Sequence, residues 1–112
     1  MSCPSASFCA AVDYGPNVVT FNGTSWSRPS AIDPGSYLQA VSCASASFCV
    51  AIDRRGNAFT FNGSTWSAPV NIDSKAANSV SGPVLIFLMS VSCLSARFCV
   101  AGDTVGDAFV RS

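Results

Sequence analysis

Residues 42–73 read SCASASFCVAIDRRGNAFTFNGSTWSAPVNID, and residues 2–33 read SCPSASFCAAVDYGPNVVTFNGTSWSRPSAID, the same segment without a gap forty residues earlier. A third copy opens at Ser92 with SCLSARFCVAGDTVGDAFVRS, fifty residues after Ser42, and stops partway. Self-similarity at this period makes each copy one supersecondary unit that must bury its apolar face against its neighbours.

Inside the unit there is no helical periodicity. Short runs rich in Val, Phe, Thr, Ile and Trp alternate with turn residues, the pattern of strands. In the second copy the runs predict four strands: Leu38 to Cys43, Phe48 to Asp53, Asn57 to Asn62 and Trp66 to Ile72. The Ser/Ala-rich link between Cys43 and Cys49, the Arg55-Gly56-Asn57 turn and the Asn62-Gly63 hairpin signal separate them. Pro29 and Pro69 suit an edge strand, because proline has no N–H to donate.

Four antiparallel strands per unit is the arithmetic of a β-propeller blade, and helical repeats are excluded. The expected fold is all-β, with antiparallel four-stranded blade repeats forming a β-propeller fragment completed by oligomerisation. Residues 1–112 form one repeat domain: blade 1 over 2–36 with its first strand truncated, blade 2 over 37–73, and blade 3 over 74–112. Blade 3 carries an apolar insertion around Val84 to Met89 and lacks a fourth strand.

The pattern S-C-x5-C-x-A-x-D, followed by N-x-x-T-[FY]-N-G-[ST]-x-W-S, resembles the repeats of extracytoplasmic β-propeller proteins of actinobacteria and related bacteria. The resemblance covers nearly the whole chain except Ser74 to Met89. It implies a fold and supplies no activity.

Composition narrows the partners. Apolar residues make up 49% of the chain, enough for a packed core, while charged residues make up 11%, six basic against six acidic. That balance offers no electrostatic footprint for nucleic acid or an anionic membrane surface. The run Pro83 to Met89 is far short of the roughly 20 residues that span a bilayer. Met1-Ser2-Cys3-Pro4 lacks a basic start and an apolar stretch, so any export signal is expected outside this chain.

The six cysteines fall into three equal pairs, Cys3 with Cys9, Cys43 with Cys49 and Cys93 with Cys99. Flanking a hairpin link, the members of each pair can face one another across neighbouring strands at disulfide distance. Small buried thiols are the alternative. Zinc fits less well, since the chain has no histidine and the spacing is not that of a zinc knuckle. Disulfides imply an oxidising compartment, and the expected location is extracellular or at the cell surface.

Catalytic inventory is thin. With no histidine and no glutamate, aspartate alone remains for acid or base work. Asp13, Asp53 and Asp103 recur at one turn, Asp33 and Asp73 at another, and Asp107 stands where the other copies have Asn17 and Asn57. Recurrence in every copy points to turn geometry, whereas an active site usually breaks symmetry. A calcium reading of Asp13 to Asn17 and Asp53 to Asn57 has suitable oxygens but not the EF-hand spacing. No cofactor, no metal and no enzymatic activity are expected.

Trp26 and Trp66, with Thr24, Ser25, Ser64 and Thr65 beside them, are the natural glycan-binding candidates, because a sugar can stack on an aromatic face at a blade junction. The competing role is packing between blades. The N-x-[ST] sequences at Asn22 and Asn62 read as turns. Phe8, Phe48 and Phe98 read as core, and Phe21, Phe59, Phe61 and Phe109 as one buried face of the third strand.

Three functions are compatible with these residues: a non-catalytic binding or structural module for a glycan or protein, a propeller piece that self-assembles, and an aspartate-based hydrolase. Self-assembly, as a homodimer or a higher closed oligomer, follows from open sheet edges and from fewer than three blades being too few to close a ring.

Overall fold

The computed structural model describes residues 1–13, 15–33, 37–72, 88–95, 97–103 and 108–111, which build eleven strands in three antiparallel sheets. Blade 1 comprises β1 (Ser2–Ser5), β2 (Phe8–Val12), β3 (Asn17–Phe21) and β4 (Ser30–Ala31). Blade 2 comprises β5 (Leu38–Ser45), β6 (Phe48–Asp53), β7 (Asn57–Phe61) and β8 (Val70–Asn71). Blade 3 comprises β9 (Leu88–Ser95), β10 (Phe98–Asp103) and β11 (Ala108–Arg111). Every sheet is a meander in chain order, β1-β2-β3-β4, β5-β6-β7-β8 and β9-β10-β11.

The fourth strand differs from its expected span. Trp66 makes only an isolated bridge to Phe61, and the chain rejoins the sheet at Val70–Asn71, opposite Ala58 and Asn57. Between them Ser67 replaces the ladder: its N–H donates to the Thr60 carbonyl at 2.8 Å, and its Oγ accepts the Thr60 N–H at 3.0 Å. Ser27 does the same for Thr20 in blade 1. Pro69 follows, and having no N–H it cannot extend the pairing.

β1 runs only from Ser2 to Ser5, against Leu38–Ser45 for its counterpart β5. Leu88 and Met89 open β9, and Leu88 is wholly buried. The rest of the insertion, residues 84–87, lies outside the described residues, as do Asp73 and Asp107.

The core sits at the two blade junctions. Alternation along β6 sends Cys49 and Ala51 toward blade 1 and Val50 and Ile52 toward blade 3, so both faces of blade 2 are covered. Between blades 1 and 2, Phe59, Phe61 and Leu38 pack on Ala10 and Val18, and Phe8 stacks on Phe61 at 6.1 Å. Between blades 2 and 3, Val50 and Ile52 meet Leu88, Cys99 and Ala101.

The phenylalanine before the second cysteine is core in only part of the repeat. Phe8 and Phe48 are half-buried against the next blade, but Phe98 is 45% exposed. Its face of blade 3 points away from blade 2, and no described residue covers it.

A hydroxyl staples consecutive blades. Cys43 lies opposite Cys49 at a Cα separation of 3.9 Å, the narrow kind of antiparallel pair, so the Cys43 N–H points out of the sheet edge. Ser2 of blade 1 accepts that N–H through Oγ at 3.0 Å, and Ser42 of blade 2 accepts the Cys93 N–H of blade 3 at 2.9 Å. An edge donor that would otherwise need water is thereby satisfied by the preceding blade.

Candidate functional site

Each blade is closed by the same local chemistry. Cys3 and Cys9, Cys43 and Cys49, and Cys93 and Cys99 form disulfides, with Cα separations of 4.1, 3.9 and 4.1 Å. The link between them turns on two residues, and Ser45 Oγ accepts the Ser47 N–H at 3.2 Å as Ser5 and Ser95 do in their blades. Three disulfides fit an oxidising, extracytoplasmic environment.

The recurrent aspartates organise turns. Asp53, wholly buried, accepts the Arg55 and Asn57 N–H groups through Oδ1 at 2.9 and 2.8 Å and the Asn57 side-chain amide through Oδ2 at 3.0 Å. Asp13 repeats the arrangement with Gly15 and Asn17. The Asn17 side-chain amide, then the Gly15 N–H, holds the Asp13 carboxyl below the usual carboxylate range. These oxygens are committed to the backbone of their own turn.

The tryptophans follow the second hairpin turn. Asn62 Oδ1 accepts the Ser64 and Thr65 N–H groups, each at 2.9 Å, and Gly63 sits at φ +99°, a conformation that favours glycine. Asn22 receives Thr24 and Ser25 in the same way. Thr24 and Ser64 are exposed on these turns. The turn returns Trp66 onto Phe61, ring centroids 5.1 Å apart, where it is half-buried against the blade 1 junction. Trp26 lies on Phe21 at 5.3 Å but is 47% exposed, because it is on the side of blade 1 away from blade 2.

A feature that strand reading missed lies between blades 2 and 3. A cleft of about 620 Å³ opens there, walled by Val50, Ile52 and Ile72 of blade 2 and by Val91, Ala101 and Phe109 of blade 3. Among the described residues its polar groups are the hydroxyls of Thr60 and Ser67. The register explains it: Cys49 is opposite Phe61, Cys9 opposite Phe21, but Cys99 is opposite Arg111. That break in the repeat was the available signal.

No protein-family model and no curated protein matches the sequence. The fold is similar to that of the solved structure "YCF48 bound to D1 peptide", with a TM-score of 0.66 at 12% identity, over 95% of this chain and 33% of that one. YCF48 is a seven-bladed β-propeller. The sheets are thus blades of the propeller kind, and the chain spans about a third of the length of the structure it matches.

Proposed function

We propose that this chain is a non-catalytic binding or structural module of an extracellular or cell-surface β-propeller, with a glycan or a protein as its ligand. The observation that carries this reading is the cleft between blades 2 and 3. Among the described residues its lining is apolar apart from two hydroxyls, a chemistry suited to burying a ligand surface. The hydrolase reading gains nothing from Asp13 and Asp53, whose oxygens are engaged in turn hydrogen bonds. Titration against a glycan array and a set of secreted proteins tests the proposal. Saturable binding to one class supports it, and silence across both counts against it. Loss of sugar binding on Trp26→Ala or Trp66→Ala, with the melting temperature retained, favours the glycan candidates Trp26, Trp66, Thr24 and Ser64.

Self-assembly is the second reading, favoured by the two outer faces. Blade 1 presents Val19, Phe21 and Trp26 at the register positions where Phe59, Phe61 and Trp66 of blade 2 pack toward blade 1. Blade 3 presents Phe98, 45% exposed, and Val110, 61% exposed. Joining these faces head to tail repeats a junction already made twice within the chain. Light scattering at micromolar concentration distinguishes a dimer from a monomer, and Phe98→Asp with Val110→Asp should dissociate the former.

A further inference from the structure

We propose that Asn22 and Asn62 are sites of spontaneous deamidation, at which the folded turn itself promotes conversion of the side-chain amide to a succinimide and then to aspartate or isoaspartate. The modification lies beyond the binding-module reading and needs no ligand.

Deamidation requires an electrophilic side-chain carbonyl carbon, a following backbone nitrogen free to attack it, and a side-chain nitrogen free to leave. Asn62 Oδ1 accepts the Ser64 and Thr65 N–H groups, each at 2.9 Å. Asn22 Oδ1 accepts the Thr24 and Ser25 N–H groups at 2.9 and 3.0 Å, and the Thr24 hydroxyl as well at 3.0 Å. Donors so placed polarise the carbonyl and stabilise the negative charge that gathers on its oxygen when the carbon is attacked, as an oxyanion hole does. The attacking nitrogen belongs to Gly23 or Gly63. Neither glycine N–H donates a hydrogen bond among the described residues, and neither glycine carries a side chain to obstruct the approach. The ring closed by the Ser64 N–H on Asn62 Oδ1 runs through the Gly63 nitrogen, so the turn holds the amide back over its own main chain. The Asn22 and Asn62 side-chain nitrogens donate no hydrogen bond among the described residues, and both turns are exposed to water.

Asn17 and Asn57, in the same repeat, are built the opposite way. Their side-chain amides donate to Asp13 and Asp53, each at 3.0 Å, which ties down the leaving nitrogen. The residues after them, Val18 and Ala58, bear side chains and are paired with a strand on either side, so their N–H groups are committed to the ladder.

The chemistry balances with water alone. Solvent hydroxide takes the glycine N–H proton, the nitrogen bonds to Cγ, and the Cγ–Nδ2 bond breaks as ammonia leaves with a proton from water. Water then opens the succinimide: at the side-chain carbonyl it yields aspartate, and at the main-chain carbonyl it yields isoaspartate, whose main chain runs through Cγ. Each conversion adds a negative charge to a chain of formal net charge 0. Aspartate at position 62 keeps an acceptor for Ser64 and Thr65, whereas isoaspartate lengthens the main chain in the turn that returns Trp66 onto Phe61.

The test ages the full 112-residue protein in mildly alkaline buffer, once native and once reduced and unfolded in guanidinium chloride, and maps its peptides by mass spectrometry. Native protein should convert Asn22 and Asn62 at least about threefold faster than the unfolded chain, in which the same Asn-Gly pairs lack the donors of the turn. Asn17 and Asn57 should stay intact in the native protein. Thr24→Val removes a donor from an exposed turn and should melt like wild type. It should slow Asn22 about threefold in the native state only, with Asn62 unchanged as the internal reference. Native conversion no faster than that of the unfolded chain, conversion of Asn17 or Asn57 at a matching rate, or a Thr24→Val protein that ages like wild type would each overturn the proposal.

Discussion

The Ser42 hydroxyl accepts the backbone N–H of Cys93 at 2.9 Å, across the junction from blade 2 to blade 3, and Ser2 makes the identical bond to Cys43. A serine beside the first cysteine of each unit thus serves the strand edge of the next unit. Ser42→Ala should destabilise the protein by about 1 to 2 kcal/mol, because it strands a part-buried donor. Ser92, exposed on the outer side of blade 3, should tolerate Ala within about 0.5 kcal/mol. Urea melts of the two variants measure both. Equal losses would mean that a further blade sits on blade 3.

Trp66 and Trp26 occupy the same place in the repeat, yet only the first is packed into a junction. Trp66→Ala should cost about 2 to 4 kcal/mol and Trp26→Ala no more than about half as much, since an exposed side chain has less burial to lose. Thermal denaturation of each variant decides it, and equal effects would place a covering surface over Trp26.

Each disulfide joins cysteines six positions apart, so each closes a short loop. Loop-closure entropy credits such a link with roughly 2 to 2.5 kcal/mol. Alkylation of the unreduced protein should modify no cysteine by intact mass, and reductant should lower the melting temperature markedly. Six modified cysteines in the folded, air-exposed protein would rule the pairing out.

Acid should loosen the first turn of blade 1. The folded-state pKa of Asp13 lies below the ordinary aspartate value of 3.8, so its carboxylate favours the native state above that value and loses this contribution as pH falls through the lower one. A carboxyl NMR titration of Asp13 should show a midpoint below 3.8. In Asp13→Asn the acid dependence belonging to this turn should vanish, and a midpoint above the ordinary value would contradict the hydrogen-bonded geometry.

Much of the architecture is local, and that part was legible in the residues. Phe48 to Asp53 forms β6 as its alternation predicts, Asn62-Gly63 makes its hairpin turn, and Cys43 meets Cys49 because two antiparallel strands joined by a short link must bring them face to face. The Asp53 turn is equally local, since its acceptor and both donors lie within five consecutive residues. Period-two alternation, turn chemistry and cysteine spacing all act over a few positions, so one sequence suffices to read them.

The candidate site was not local in that sense. Nothing in Thr65-Trp66-Ser67 says that the indole meets the blade before it and not the blade after, or that Ser67 stands in for a stretch of ladder. Those outcomes depend on which face of each sheet turns toward which neighbour, a choice made by the packing of whole blades. The Ser42 to Cys93 bond joins residues 51 positions apart, and at the cleft, among the described residues, blade 3 returns Phe109 where blade 2 returns Phe59, Phe61 and Trp66 to the preceding junction. The sequence by itself determined the repeat, the strands, the turns and the cysteine pairs, each set by neighbours along the chain. Only the tertiary structure decided what each blade covers and where a cleft is left open, because burial is settled between surfaces that no local pattern encodes.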